Sequence, residues 1–277
     1  MSRIAFSDYD DRSRSLSKVA RASILKMTAR AGASHVGSSL SIADILSVLY
    51  TFNPQLTPRL WMEGKGDTVI VSKGHAAAAL YATLAHCDYF ALDELEKFCA
   101  DGSDYFGHVT SGRITGVDFS TGSLGHGLGF GCGQAITYRR LNKMNHVFVV
   151  MSDGECNEGS TWEAALFASH HELSNLTVIV DRNRLQSFGS TEETLALEPF
   201  AEKWVSFGWQ MREIDGHDHR QIHLALSEPR SNRPLLILAN TIKGKGVSFM
   251  ENEVQWHYSS PTPAQLNSAL SEIENTA

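Results

Sequence analysis

The stretch His146-Val147-Phe148-Val149-Val150-Met151 is apolar and rich in β-branched residues, and it runs straight into Ser152-Asp153-Gly154-Glu155. A helical segment follows from Asn157 to Leu173. Then the pattern repeats: Leu176-Thr177-Val178-Ile179-Val180 runs into Asp181-Arg182-Asn183-Arg184-Leu185-Gln186. Apolar strands with no alternation, joined through a helix, are parallel strands buried on both faces. In such sheets ligands sit beyond the carboxyl ends of the strands. Asp153 and Asn183 should therefore meet at one edge, brought there by neighbouring strands. One carboxylate, one amide oxygen and a nearby main-chain carbonyl make a small, hard oxygen set that suits Mg²⁺. Three protein oxygens leave places for phosphate oxygens and water, and Gly154 would let a backbone N–H approach a phosphate closely.

The same alternation extends outward. Thr68 to Val71 reads as a buried strand, Trp209 to Ile214 and Pro234 to Ala239 as two more. Helices are expected at Ser41 to about Tyr50, Ala76–Ala85, Leu92–Phe98, Pro199–Phe207 and His219–Ser227. Leu16, Ala20, Ile24, Met27 and Ala31 step by three or four along one helical face, with Gly32 placed to end it. Ten of the 22 glycines fall between Gly102 and Gly133. The first part of that region must be loop, and from Leu124 a glycine-rich helix is expected, pressed closely against a neighbour. Thr262-Pro263-Ala264-Gln265 offers a capping box for a last helix. The expectation is a single α/β domain over residues 1–277, with a parallel sheet and helices on both faces.

Composition narrows the function. With 24 Lys+Arg against 31 Asp+Glu the chain carries a net charge of −7, and no basic stripe is present for a nucleic-acid backbone. The apolar runs are far shorter than the ~20 residues of a membrane span. The N-terminus lacks the apolar core of a signal peptide, and the four cysteines form no C-x-x-C pair. A cytoplasmic protein with reduced thiols is the expectation.

The motif Asp153-Gly154-Glu155-Cys156-Asn157-Glu158-Gly159, then Trp162-Glu163-Ala164-Ala165, then Val180-Asp181-Arg182-Asn183, resembles the thiamine-diphosphate motif in its transketolase form. Ser72-Lys73-Gly74-His75-Ala76, Phe106-Gly107-His108-Val109, Ser120-Thr121-Gly122-Ser123-Leu124-Gly125-His126-Gly127 and Thr241-Ile242-Lys243-Gly244-Lys245-Gly246 agree with that family in order, from about residue 15 to 260. Family members hold a diphosphate-binding, a pyrimidine-binding and a C-terminal domain, and this chain resembles the first alone. The resemblance implies the N-terminal subunit of a split transketolase. The other two domains would lie on a separate chain, most simply in an α2β2 assembly.

The resemblance also implies roles. Asp153, Asn183 and the Leu185 carbonyl would hold Mg²⁺. Gly154, His75 and His257 would contact the diphosphate of thiamine diphosphate. Gly122, Ser123 and Leu124 would line the cofactor, with Leu124 against the thiazolium ring. Glu158 and Glu163 would relay proton chemistry toward the partner's catalytic carboxylate. His35, His108 and His257 would face the substrate channel and hydrogen-bond the ketol oxygens of a sugar or sugar phosphate, work suited to imidazole. The implied reaction moves a two-carbon ketol unit from a ketose to an aldose. Rival readings are a deoxyxylulose-phosphate synthase-like or α-ketoacid dehydrogenase-like chain, and a non-catalytic chain that binds cofactor or partner only.

Other residues read differently or depart from the family. His170, His171, His217 and His219 are read as exposed helix or loop residues. Ser152 stands where the family has Gly, a harmless exchange if its φ stays negative. Ser34 to Ser38 replaces a more glycine-rich loop, narrowing the channel beside His35. His126 replaces a glutamine and adds a titratable group near the cofactor.

Overall fold

The computed structural model describes residues 6–229 and 231–275. Five strands form one wholly parallel sheet: β1 (Thr68–Val71), β2 (Val147–Ser152), β3 (Leu176–Arg182), β4 (Gln210–Asp215) and β5 (Leu235–Asn240), in the order β1-β2-β3-β5-β4. The helices are α1 (Phe6–Ala31), α2 (Val36–Ser41), α3 (Ala43–Phe52), α4 (Pro58–Met62), α5 (Ala77–His86), α6 (Gly127–Arg140), α7 (Gly159–His170), α8 (Thr191–Leu195), α9 (Phe200–Ser206), α10 (His219–Ser227) and α11 (Pro263–Asn275).

Strand period divides the core in two. Val69, Val71, Phe148, Val150, Ile179, Leu235, Ile237 and Ala239 point to one face and pack with α1, α2, α3, α5 and α11. The alternate residues Ile70, Val147, Val149, Met151, Val178, Val180, Leu236 and Leu238 point to the other, against α6, α7 and α9. Because both faces are covered there, β1, β2, β3 and β5 are rich in apolar residues, whereas the edge strand β4, with Arg212 and Glu213, is only partly buried. The register pairs Ser152 with Asp181 and Arg182 with Asn240, so β2, β3 and β5 end level with one another.

The expected glycine-rich helix is α6, starting at Gly127, and the neighbour it presses against is the sheet. A Cβ on Gly127 would lie 2.2 Å from Ser72 Oγ, and one on Gly131 would lie 2.7 Å from a Val149 methyl. The capping box forms: Gln265 N–H donates to Thr262 Oγ1 and the Gln265 side chain accepts from Thr262 N–H. The stretch Leu92–Lys97 is a 3₁₀ rather than an α-helix. Residues 36–38, expected as loop, open the short helix α2, which ends at Ser41, the expected start of the next helix, and α4 and α8 are further short helices outside the expected set. All four cysteines are free, and among the described residues no helix is long and apolar enough to cross a membrane.

Two histidines correct the sequence reading. His219 is buried and His217 half-buried, because both turn toward Asp44 on α3, whose buried carboxylate needs donors. Nothing local in the sequence signals that contact, since Asp44 and His217 lie 173 residues apart along the chain.

Candidate active site

Four strand ends feed one cavity. The loop after β1 brings Lys73 and His75, the loop after β2 brings Asp153 and Gly154, the loop after β3 brings Asn183 and Leu185, and the loop after β5 brings Lys243. The long glycine-rich segment adds His108, Gly122 and Leu124, while His35 and His257 close the far wall around about 190 Å³.

Asp153 is almost wholly buried. Its Oδ1 accepts from Gly154 N–H at 2.7 Å. Its Oδ2 accepts from Arg184 N–H at 2.6 Å and from Arg182 Nη1 at 3.2 Å. Burial, and then the neighbouring Asp181, push its carboxyl up to about 6. Asn183 donates through Nδ2 to Asp181 Oδ2 at 2.9 Å, and its Oδ1 accepts from Leu185 N–H at 3.0 Å. That assigns the amide: nitrogen toward the buried carboxylate, oxygen toward the loop that carries the Leu185 carbonyl.

Asp181 itself is fully buried and forms an ion pair with the equally buried Lys73. Ser41 Oγ, at 2.7 Å, and Thr241 Oγ1 also donate to it, so that Lys73 and these donors hold its carboxyl below the ordinary range against the effect of burial. Lys73 also donates to the Ser38 carbonyl at 3.1 Å, which ties α2 to the cavity floor. A third buried carboxylate, Glu155, accepts from Ser72 Oγ and, at 2.9 Å, from Gly125 N–H, so the loop carrying Leu124 is anchored to β1 and β2 together. Lys73, Asp181, Glu155 and Lys243 are functional-site residues to which the sequence reading gives no role. The available signal was their charge beside a strand end, where an ionic side chain is expensive unless paired.

The imidazoles form a cluster. The His35 ring centre lies 5.2 Å from that of His75, 5.5 Å from His108 and 5.0 Å from His257, and His75 lies 5.6 Å from His257. His35 caps α2 in the left-handed region at φ 72° and donates its backbone N–H to the His257 carbonyl at 2.9 Å. Burial and then the neighbouring His108, Lys243 and Lys73 hold His35 down at about 4. Burial and then Lys243 hold His257 at about 3. Burial, and next Lys73, hold His75 well below the ordinary value. Burial and then Lys73 lower Lys243 to about 8; its Nζ sits 2.9 Å from His257 Nδ1 and 3.4 Å from the carbonyls of Leu185 and Gln186. At neutral pH His35, His75 and His257 are neutral, each able to donate one hydrogen bond and accept another.

The structure brings together His35, His75, His108, Gly122, Leu124, Asp153, Gly154, Asn183, Leu185 and His257. It leaves Ser123, Glu158 and Glu163 out of the cavity lining; all three side chains are exposed, the glutamates at the start of α7. Ser152 closes β2, is not among the residues of positive φ, and accepts from Glu155 N–H, so the exchange from glycine costs no strain. Ser34 donates to the Tyr258 carbonyl, and His126, exposed, lies 3.0 Å from the Leu124 carbonyl.

The donor set fits a hard divalent ion. Among the described residues no cluster of three His, Cys, Asp or Glu forms a metal cage. The oxygens of Asp153, Asn183 and Leu185 are one carboxylate and two neutral carbonyls, a partial set that a phosphate and water would complete. The buried, mutually repelling Asp153 and Asp181 would be relieved by the added positive charge of such an ion.

Residues 13–269 match the family described as transketolase, thiamine diphosphate binding domain. The 6-deoxy-6-sulfo-D-fructose transketolase subunit SqwG of Clostridium sp. (strain MSTE9) is 36% identical over 258 residues, covering 92% of this chain and 94% of that one. One of the apulose-4-phosphate transketolase subunits, from Phocaeicola vulgatus, is 36% identical over 91% of this chain and 90% of its own. The solved transketolase from Leishmania mexicana superposes with a TM-score of 0.88 at 25% identity, over 95% of this chain but 41% of that one. Matched along nearly its whole length in both sequence and fold, the chain belongs to the transketolase family, as its thiamine diphosphate binding domain.

Proposed function

We propose that this chain is the diphosphate-binding half of a two-chain transketolase, moving a two-carbon ketol unit from a ketose to an aldose. The observation that carries the reading is that Asp153, Asn183 and Leu185 line one cavity together with four clustered imidazoles. Thiamine diphosphate, when bound, supplies the electron sink that lets a C–C bond beside a carbonyl break and re-form.

The chain's own residues do the rest. Asp153, Asn183 and the Leu185 carbonyl hold Mg²⁺, and Gly154, His75 and His257 bind the diphosphate. Gly122, Ser123 and Leu124 line the cofactor. His35, His108 and His257 bind the ketol oxygens of the sugar; kept neutral, the His35 and His257 rings can pass a proton at nitrogen without carrying a permanent charge. Glu158 and Glu163, exposed at the start of α7, serve proton relay toward a carboxylate of the partner.

The pyrimidine-binding and C-terminal domains are assigned to a separate chain, in an α2β2 assembly. Three relatives that share 90% or more of their length with this chain are named as transketolase subunits, which supports that division. So do exposed apolar side chains: Leu166 and Phe167 on α7, and Phe188, which is 84% exposed and follows Ser187 on the cavity rim. Sugars or sugar phosphates are the substrate class, in keeping with the names of those relatives, and the setting is cytoplasmic. The test is calorimetric titration of thiamine diphosphate with and without Mg²⁺. Mg²⁺-dependent binding in the wild type and its loss in Asp153→Ala are expected; wild-type affinity in the variant would put the metal elsewhere.

A further inference from the structure

Behind the loop that carries Lys243 lies a second buried polar cluster, none of whose members lines the cavity. Its centre is Asp44 on α3, 5% exposed. Arg21 on α1 grips it with both terminal nitrogens, Nη1 to Oδ1 at 2.8 Å and Nη2 to Oδ2 at 2.6 Å. His219 Nε2 lies 3.0 Å from Oδ1 and His217 Nδ1 lies 2.8 Å from Oδ2. Burial alone would raise this carboxyl, yet Arg21 and the two histidines hold it well below the ordinary range, so it is a carboxylate.

Two arms of the cluster also reach the loop. His217 Nε2 accepts the Ile242 backbone N–H at 2.8 Å, which leaves the ring proton on Nδ1 and aims it at Asp44. Arg21 Nε donates to the Lys245 carbonyl at 3.1 Å. The two backbone groups gripped, Ile242 N–H and Lys245 C=O, flank Lys243 and Gly244. From the other side the loop is tied to α2 by Gly244 N–H to the Gly37 carbonyl at 3.0 Å. Held so, Lys243 sends its ammonium to His257 Nδ1 and to the carbonyls of Leu185 and Gln186.

We propose that Arg21, Asp44 and His217 are positioning residues that set Lys243 against His257 and the Leu185 carbonyl, acting only through the backbone of residues 242–245. A buried ionic cluster is a poor way to gain stability, since a packed apolar set of the same volume usually serves as well. Fixing the place of a backbone segment is what such a cluster does better. The partner of a ligand-bearing group typically matters to affinity almost as much as the group itself.

Only the cofactor readout below rests on the function proposed above. The test compares His217→Gln with His217→Leu. Glutamine keeps a donor for Asp44 and an acceptor for Ile242 N–H; leucine keeps the bulk and neither. Two quantities are read in the purified full chain: the ¹⁵N shift of His257 Nδ1 without ligand, and thiamine diphosphate affinity with Mg²⁺ by calorimetry. In His217→Leu the His257 Nδ1 signal should move to that of an imidazole nitrogen without a donor, and affinity should fall about tenfold or more. His217→Gln should bring both back near wild type. If leucine fails to fold, Asp44→Asn, equal in volume, should move the same two readouts, because its amide N–H₂ accepts no hydrogen bond and faces an Arg21 nitrogen on whichever side it lies. An unmoved His257 signal in the leucine or asparagine variant overturns the proposal, as does a glutamine variant as impaired as leucine. Absence of cofactor binding in the wild type would instead overturn the proposed function, leaving the His257 signal to decide the positioning role.

Discussion

Asp153 is a buried carboxylate on the cavity wall, and its proposed role is toward a cation. Its carboxylate is pushed up to about 6 by burial and by Asp181, so it gains little from being ionised where it is until a cation arrives. Asp153→Ala should therefore change the melting temperature little while removing Mg²⁺-dependent cofactor binding. The imidazoles give a second residue-scale prediction. His35 and His257 have folded values of about 4 and 3, below the unfolded 6.5. A depressed value means that the folded state prefers the neutral ring. The stability this contributes is present above pH 6.5 and is lost as pH falls through about 4 for His35 and then about 3 for His257. Titration of ¹⁵N-labelled histidine by NMR should find both rings neutral at about pH 5; midpoints near the unfolded value would contradict the cluster as described. At this scale the sequence is informative where chemistry follows a strand directly, as for Asp153 and Asn183. It is silent for Lys73 with Asp181 and for Asp44 with His219, because those pairs lie 108 and 175 residues apart and only the folded sheet brings them together.

Among the elements, α6 packs tightly on the sheet through some of its glycines and not others. Gly127 has no room for a side chain against Ser72, whereas a Cβ on Gly129 would meet open space. Gly127→Ala should cost about 1–3 kcal/mol through overpacking. Gly129→Ala should stabilise the isolated chain by about 0.5–1 kcal/mol, by removing a glycine from a helix interior. Urea unfolding of the two variants checks both, and equal effects would mean that α6 does not sit on the sheet as described. The strands and long helices are legible because periodicity and burial point the same way, as in β2, β3 and α1. The short helix α2 is not: residues 36–41 contain Gly37 and three serines, carry little helical preference, and are held by Lys73 and by the His35–His257 backbone bond.

For the whole molecule, the described residues build a single parallel sheet whose strand ends converge on one cavity. Whether this chain supplies one half of a ketol transferase is decided most directly by an assay of three samples with Mg²⁺ and thiamine diphosphate. They are this chain, a chain carrying the pyrimidine-binding and C-terminal transketolase domains, and their mixture, each assayed for ketol transfer while light scattering follows mass. Catalysis needs a water-excluded cleft and an acid–base group facing the pyrimidine ring of the cofactor, and in the proposed division the partner chain supplies both. Activity should appear only in the mixture, together with a heteromeric species of the mass of an α2β2 assembly. Full turnover by this chain alone, as a monomer, would contradict the two-chain reading.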